Sequence, residues 1–298
     1  MKSLSCAICG KNQKKVLLYK ETIAFDKIDK DIFSARRTPD RIHYQLLKCQ
    51  VCGLIFSSPI LAEDKIKHLY KKSELTYEVE IPSLKKTYGN YLRRALKFTV
   101  KKPKLVEIGG GNGFFLEEAK KNKVFDIWGV EPSREAVTKA RRDIKKRIII
   151  DFFPTKKIRP GSCDIICFFQ TLDHVTDPNN FLSACHQALR REGIILCIQH
   201  DTEGLSVKLL GERSPIFDIE HIYLFNKSNL EKILNKNGFE ILEVFNVENK
   251  FPLRYWLRMF PLPNGVKALL LKLTGLLKLA DLPLKLPAGN MGAIARKI

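Results

Sequence analysis

The sequence predicts an α/β fold carrying two smaller attachments. Three observations lead there. First, 298 residues are too many for one small module and suit a full α/β domain with one or two additions. Second, a short apolar run, Lys104-Leu-Val-Glu-Ile108, breaks at Gly109-Gly-Gly111-Asn-Gly113 and resumes as the helical Phe114-Phe-Leu-Glu-Glu-Ala-Lys. Third, two Cys-x-x-Cys-Gly segments before this unit and a Leu-rich stretch after it stand apart from its pattern. Hydrophobic residues at 45%, charged at 28% and aromatic at 9% exclude a disordered composition and provide for a sizeable core. No apolar run reaches the roughly 18 to 20 residues of a membrane-spanning helix. Met1-Lys-Ser-Leu-Ser-Cys6 lacks the apolar centre of a signal peptide, so the expected location is the cytoplasm.

Fifty-two Lys and Arg against 32 Asp and Glu leave a net charge of +20. Such an excess raises nucleic acid, anionic lipid or an acidic substrate as partners. The charge is spread evenly, however: residues 1–100 hold 20 basic and 10 acidic side chains, half of the whole excess, and no block of like charge stands out. A solvated surface is the plainer reading. Of the eight cysteines, Cys163, Cys167, Cys185 and Cys197 lie in apolar surroundings and read as small buried hydrophobes of a reduced protein.

Residues 1–60 read as a metal-binding module. Cys6-Ala-Ile-Cys9-Gly10 and Cys49-Gln-Val-Cys52-Gly53 each put two sulfurs on a tight turn, and the glycine lets backbone amides turn toward them. Two such turns supply the four thiolates that a structural Zn²⁺ takes, a closed site that holds the fold and does no chemistry. A redox dithiol would need one pair on a βαβ pattern, and chance duplication of the segment is improbable. The 39-residue insert between the pairs must carry a hairpin or loop. Residues 61–100 read as a helical linker or lid, with Leu61, Ile66, Leu69 and Tyr70 at helical spacing and a second run through Leu84, Tyr88, Tyr91, Leu92 and Leu96.

Strand, glycine turn and helix at 104–120 form a cradle, because glycines let the backbone approach a ligand and the helix start offers unpaired N–H groups. A second strand, Asp126-Ile-Trp-Gly-Val-Glu131, ends in a carboxylate 20 residues after Gly111, where it can accept from both hydroxyls of a ribose. Gly109-x-Gly111-x-Gly113 is not the spacing of dinucleotide sites, since Phe114 occupies the place of their third glycine. Glu107 lies where a nicotinamide site has an apolar residue, and a carboxylate there can orient an ammonium. S-adenosylmethionine carries an ammonium; NAD does not.

Val106-Glu-Ile-Gly-Gly-Gly-Asn-Gly113 with Gly129-Val-Glu-Pro-Ser133 resembles motifs I and II of class I S-adenosylmethionine-dependent methyltransferases. The likeness continues through Arg147-Ile-Ile-Ile-Asp151-Phe152, through Cys163-Asp-Ile-Ile-Cys-Phe-Phe-Gln170-Thr-Leu-Asp173-His174-Val-Thr-Asp-Pro178, and through a fifth strand, Gly193–Ile198, after a helix ending near Arg190-Arg-Glu. The resemblance implies a Rossmann-like, mostly parallel sheet of seven strands over residues 101–250, with the donor at the strands' C-terminal ends. It carries Gly109, Gly111 and Gly113 to the methionine part, Glu131 with Pro132 to the ribose, Asp151 and Phe152 to the adenine, and Gln170 to the methyl end. With its paired cysteines the chain also resembles bacterial sugar and small-molecule methyltransferases that carry an N-terminal zinc module. Their Tyr-His-Glu-His segment appears here as Asp218-Ile-Glu220-His221, matching only the last two residues. That departure leaves open which sugar or small molecule is methylated.

Between the fifth and sixth strands lie His200, Asp201 and His221, where substrates approach. His221 is the first candidate for a general base and His200 the second; a histidine capping the next helix is the plain alternative for His221. A helix from Asn229 stops at Asn237-Gly238, and Phe239–Phe245 reads as a strand. Residues 251–298 form a Leu-rich amphipathic extension ending in a short strand, Asn290–Arg296. With Lys267, Thr274, Lys278 and Asp281 near one face, it could lie on an anionic membrane or cover the active site or a second subunit. The function expected is methyl transfer to a sugar, sugar nucleotide or surface-glycan precursor. One alternative is a zinc-finger RNA methyltransferase, against which stands Gln170-Thr-Leu-Asp in place of Asn-Pro-Pro-Tyr and the absence of a basic-aromatic cluster. The other is a noncatalytic scaffold retaining the fold.

Overall fold

The computed structural model describes residues 1–10, 14–28, 32, 40–72, 78–260 and 262–298. Parts of the insert between the cysteine pairs (11–13, 29–31, 33–39), of the 61–100 stretch (73–77) and of the C-terminal extension (261) therefore lie outside the described residues.

Strands β1 (Lys15–Tyr19), β2 (Leu46–Cys49) and β3 (Ile55–Ser57) form an antiparallel meander, followed by helices α1 (Glu63–Lys72) and α2 (Ile81–Ala95). The main fold begins with β4 (Lys104–Ile108), α3 (Phe114–Lys121) and β5 (Asp126–Glu131). Short helices α4 (Arg134–Thr138) and α5 (Arg142–Lys145) lead to β6 (Ile148–Ile150), and then come β7 (Cys163–Phe169), α6 (Pro178–Ala188) and β8 (Leu189–His200). After α7 (Leu205–Leu210), β9 (Tyr223–Leu224) and α8 (Lys227–Lys236), the chain ends with β10 (Phe239–Pro252), α9 (Leu253–Met259), α10 (Asn264–Leu276) and β11 (Pro283–Lys297).

The main sheet has seven strands in the order β10-β11-β8-β7-β4-β5-β6. Strands β4 to β8 within it pair in parallel, and β11 runs antiparallel to both neighbours. This is the expected mostly parallel, seven-stranded arrangement. Strand β7 is buried along its whole length, as a central strand covered on both faces must be. Leu105, Ile165 and Cys167 face one apolar layer with α2 and α3, while Val106, Ile166 and Phe168 face the other, the period of two that the pleat demands. From β4 the chain winds outward through β5 and β6, then crosses back to β7. The gap between the C-terminal ends of β4 and β7 is thus a switch point, where open α/β sheets bind ligands.

Local chemistry sets the helix starts. Asp177 accepts from the Asn180 amide with Pro178 in the first turn, and Asn226 accepts from the Asn229 amide. Because Asn226 is the cap, α8 starts at Lys227 rather than at Asn229. Helix α6 stops at Ala188 rather than near Arg190-Arg-Glu, since Leu189–Glu192 already run in β8, beside an irregular register against β7.

Two sequence boundaries are crossed by the fold. The sheet of the cysteine-bearing unit is completed from far downstream, β9 pairing with β3 in the order β1-β2-β3-β9. Asn229 Nδ2 donates to the Cys52 carbonyl at 2.7 Å and Asn179 Nδ2 to the Ala7 carbonyl at 2.8 Å, so residues 1–60 are seated firmly on the rest. At the other end, the expected short strand Asn290–Arg296 is the inner half of the much longer β11, which pairs with β10 from Phe239↔Lys297 to Pro252↔Pro283. Residues 251–298 are therefore not an appendage: α9 and α10 form an insertion in the last hairpin of the main sheet.

Candidate functional site

A cavity of about 750 Å³ opens at the C-terminal ends of the central strands. Glu107, Gly109, Gly111, Glu131, Pro132, Asp151, Phe152, Gln170, His200 and His221 all line it. Gly113 is the predicted cradle residue outside the lining. It starts α3 at φ +72°, and a Cβ there would collide with Ile144.

At one end of the cavity two carboxylates sit on adjacent strand tips. Gly111, held at φ +52°, donates its amide to Glu131 Oε2 at 2.8 Å, and the Ser133 amide donates to Oε1 at 2.8 Å. Burial pushes the Glu131 carboxyl above its usual range, partly offset by those two amides. Glu107 is more extreme. It is 2% exposed, its Oε2 has no hydrogen-bond partner among the described residues, and burial with the nearby charge of Glu131 pushes its carboxyl well above the usual range. Past the tip of β6, Asp151 accepts from the Phe152 amide at 2.9 Å and the Thr155 hydroxyl at 2.7 Å. The Thr155 bond holds its carboxyl below the usual range, with Lys157 at 3.2 Å adding to the effect against a small cost of burial.

Across the cavity lies an Asp–His arrangement. Asp173, 1% exposed, accepts from His200 Nδ1–H at 2.7 Å. Burial alone would raise the Asp173 carboxyl, but His174, the His200 bond and His221 together hold it below the usual range. It is therefore the ionised partner of His200. Gln170, at φ +49°, brings its amide nitrogen to 3.3 Å from His200 Nε2, a bond in which the amide donates to the ring's lone pair. His221 differs, for its Nδ1–H donates to the Ile216 carbonyl at 2.7 Å. Burial, then the neighbouring His200, pushes the His221 ring below its usual pKa. The rings of His200 and His221 lie 4.5 Å apart, and His174, bonded through Nδ1 to the Tyr70 hydroxyl at 2.7 Å, stands edge-on to His221 at 4.9 Å. Ligand atoms of Asp173, His200 and His221 lie within 4.8 Å of one another. The direct 2.7 Å bond pairs Asp173 Oδ2 with His200 as a carboxylate–imidazole pair, while the buried Oδ1 has no hydrogen-bond partner among the described residues.

Nothing in the sequence around Asp173 marks its role except its place in the segment after strand β7, and its partner lies 27 positions away.

The four paired cysteines converge as their spacing predicts, with ligand atoms of Cys6, Cys9, Cys49 and Cys52 within 4.8 Å of one another. Cys6 and Cys52 sulfurs are 3.4 Å apart, close to the roughly 3.8 Å edge of a tetrahedron with Zn–S bonds of about 2.3 Å. Burial pushes the Cys6 and Cys52 thiols up to about 11, so four thiolates here call for a cation to offset their charge. The cluster fits a metal.

The family model for a methyltransferase domain matches residues 83–244, more than half of the chain. The chain belongs to that methyltransferase family. It is an S-adenosylmethionine-dependent methyltransferase. Solved structures share the fold of this methyltransferase at low identity. A chain from the Haloferax volcanii complex of the Trm112 methyltransferase activator with a methyltransferase matches at TM-score 0.52 and 13% identity, over 73% of this chain and 92% of that one. Geranyl diphosphate C-methyltransferase of Streptomyces coelicolor A3(2), bound to Mg²⁺, geranyl diphosphate and S-adenosyl-L-homocysteine, matches at 0.50 and 14%, over 74% and 84%. A methyltransferase of Thermotoga maritima matches at 0.48 and 19%, over 74% and 95%. No curated protein matches the chain.

The buried Glu107 of this methyltransferase makes a stability prediction. An unfolded glutamate titrates near 4.3. With the folded value raised, the folded state holds the proton more tightly, so this carboxyl lowers stability as pH rises above about 4.3. Glu107→Gln is expected to stabilise the ligand-free protein at pH 7.5 by about 1–2 kcal/mol and to flatten the pH dependence. Urea denaturation at pH 5 and 7.5 measures both.

Proposed function

We propose that this methyltransferase acts on a small acceptor, a sugar, sugar nucleotide or surface-glycan precursor, with donor and acceptor meeting in the one cavity. The observation that carries the reading is the placement of the Asp173 carboxylate, bonded to His200, in the same cavity as Glu131. S-adenosylmethionine supplies a methyl on a sulfonium sulfur, which keeps the electron pair of the broken bond, so the protein's task is alignment. Glu131 is suited to accept from ribose hydroxyls, its position already defined by two backbone amides. The partnerless oxygen of Glu107 beneath the Gly109–Gly111 tip fits an ammonium, whose charge would bring that carboxyl back toward its normal range. Asp151 and Phe152 would hold the adenine, and Gln170 stands at the methyl end.

As it takes the methyl, a hydroxyl or acidic carbon of the acceptor must lose a proton. His200 Nε2 is suited to receive it once the acceptor displaces the Gln170 amide from its lone pair, because Asp173 orients the ring through Nδ1–H and stabilises the imidazolium that results. His221, neutralised by burial and turned toward a backbone carbonyl, is better suited to shape and position the acceptor. The order of the two histidines is thus the reverse of the one the sequence suggests. We further infer that Cys6, Cys9, Cys49 and Cys52 hold a structural Zn²⁺.

Titration calorimetry with S-adenosylhomocysteine tests the donor half: the wild-type protein is expected to bind, and Glu131→Ala about 100-fold more weakly, for two charged hydrogen bonds lost. Labelled methyl transfer onto nucleotide sugars and glycan extracts tests the acceptor half. A wild-type protein without measurable donor affinity would contradict the reading and favour the noncatalytic scaffold.

Metal analysis is expected to find about one Zn²⁺ per chain. Stripping it with a chelator should lower the thermal midpoint on the order of 10 °C, as should Cys49→Ser. A metal-free protein with an unchanged midpoint would refute the assignment.

A further inference from the structure

Helix α10 turns its apolar side to solvent. Val266, Leu269, Leu273 and Leu276 recur at helical spacing and are 45%, 56%, 44% and 70% exposed, and no residue of the helix is buried. Lys267, Leu270, Leu271 and Thr274 form the half-buried side, the Lys267 ammonium donating to the Arg258 carbonyl at 3.0 Å and the Thr274 hydroxyl to the Leu270 carbonyl at 2.8 Å. Only two of its five leucines turn inward, so most of the apolar surface of the helix is left to solvent, more than a helix covering the fold would leave.

The cavity beside the α9 end of this hairpin has exposed apolar residues of its own. Leu205, Leu209, Phe260 and Leu286 line the cavity and are also among the exposed large hydrophobics. A rim of this kind admits an apolar chain directly from its surroundings. The hairpin is mostly basic: from Leu253 to Leu286 the chain carries six Lys and Arg and one acid, Asp281, which pairs with Arg254 at 2.6 Å, while Lys285 pairs with Glu248 on the neighbouring strand. Two such hairpins brought together would repel. An exposed leucine ridge among cations is instead complementary to a bilayer with anionic headgroups, whose acyl chains take the leucines while the phosphates meet the cations. No described helix is long and apolar enough to cross a membrane, so the contact is with one surface.

We propose that the α9–α10 hairpin seats this protein on an anionic lipid surface with the cavity mouth against the lipid, and that the acceptor is a glycan precursor carried on a lipid tail. The second half rests on the methyl-transfer reading above; the first does not. The lipid-borne hydroxyl or acidic carbon gains the methyl and gives its proton to His200, as for any acceptor in this cavity.

Full-length protein sedimented with vesicles tests the docking. Binding to phosphatidylcholine vesicles containing phosphatidylglycerol is expected to exceed binding to phosphatidylcholine alone by about tenfold or more, and to weaken with salt. The exposed-face variant Leu269→Glu, Leu273→Glu, Leu276→Glu should lose about tenfold or more of that binding while keeping wild-type affinity for S-adenosylhomocysteine, which shows that it folds. Equal vesicle binding by wild type and variant would overturn the docking. So would a wild-type dimer that ignores vesicles and that the variant dissociates. With donor label and membranes, methyl is expected in the organic-extractable fraction; label confined to water-soluble products would overturn the lipid-borne acceptor. Loss of donor affinity in the wild type would sink the methyl-transfer reading and leave the vesicle result standing.

Discussion

Asp173 ties together three stretches of chain that are remote in sequence. Its carboxylate takes the His200 proton donor at the end of β8, at 2.7 Å. Its backbone carbonyl accepts from the amides of Ile222 and Tyr223 at 2.7 and 3.1 Å, where β9 begins. Strand β9 extends the sheet of the cysteine-bearing unit, and the Ser57 amide and hydroxyl donate to the Ile222 and His221 carbonyls at 2.8 and 3.0 Å. The seating of the N-terminal unit, the course of the segment bearing His221 and the orientation of His200 therefore share one residue.

The cavity has two unlike ends. Around β4 and β5 are buried carboxylates that the ligand-free protein tolerates at a cost, Glu107 most of all. Desolvated charge of that kind persists where a cationic ligand offsets it. At the mouth, Leu205, Leu209, Phe260 and Leu286 meet solvent directly. A charged donor at the polar end and an acceptor with apolar character at the open end would each meet matching surroundings, with the histidines between them.

What was legible in the sequence were features whose cause is local. Gly111 and Gly113 stand where the backbone needs positive φ, and each Cys-x-x-Cys-Gly turn encodes its own sulfur geometry, so cradle and thiol cluster could be placed by residue number. Glu131 was legible because a strand tip fixes its distance from Gly111. The Leu-rich segment announced its helices in the same local way. Pairings between distant segments left no such mark. Nothing in Tyr223-Leu224 indicates that it completes a sheet begun at Lys15, and nothing in Asp173 that its partner is His200. The direction of α10 was illegible for the same reason: composition shows an amphipathic helix, while the side that packs is decided by the hairpin of β10 and β11 in which it is inserted.

The central claim is that one cavity holds the sulfonium nucleoside at Glu131 and presents it to His200. A crystal structure with S-adenosylhomocysteine tests this most directly. The account predicts both ribose hydroxyls on the Glu131 carboxylate, the amino group beside Glu107, and the sulfur facing His200 across open space. A ligand lying elsewhere, or Glu131 bonded only to the Gly111 and Ser133 amides with the nucleoside present, would contradict it.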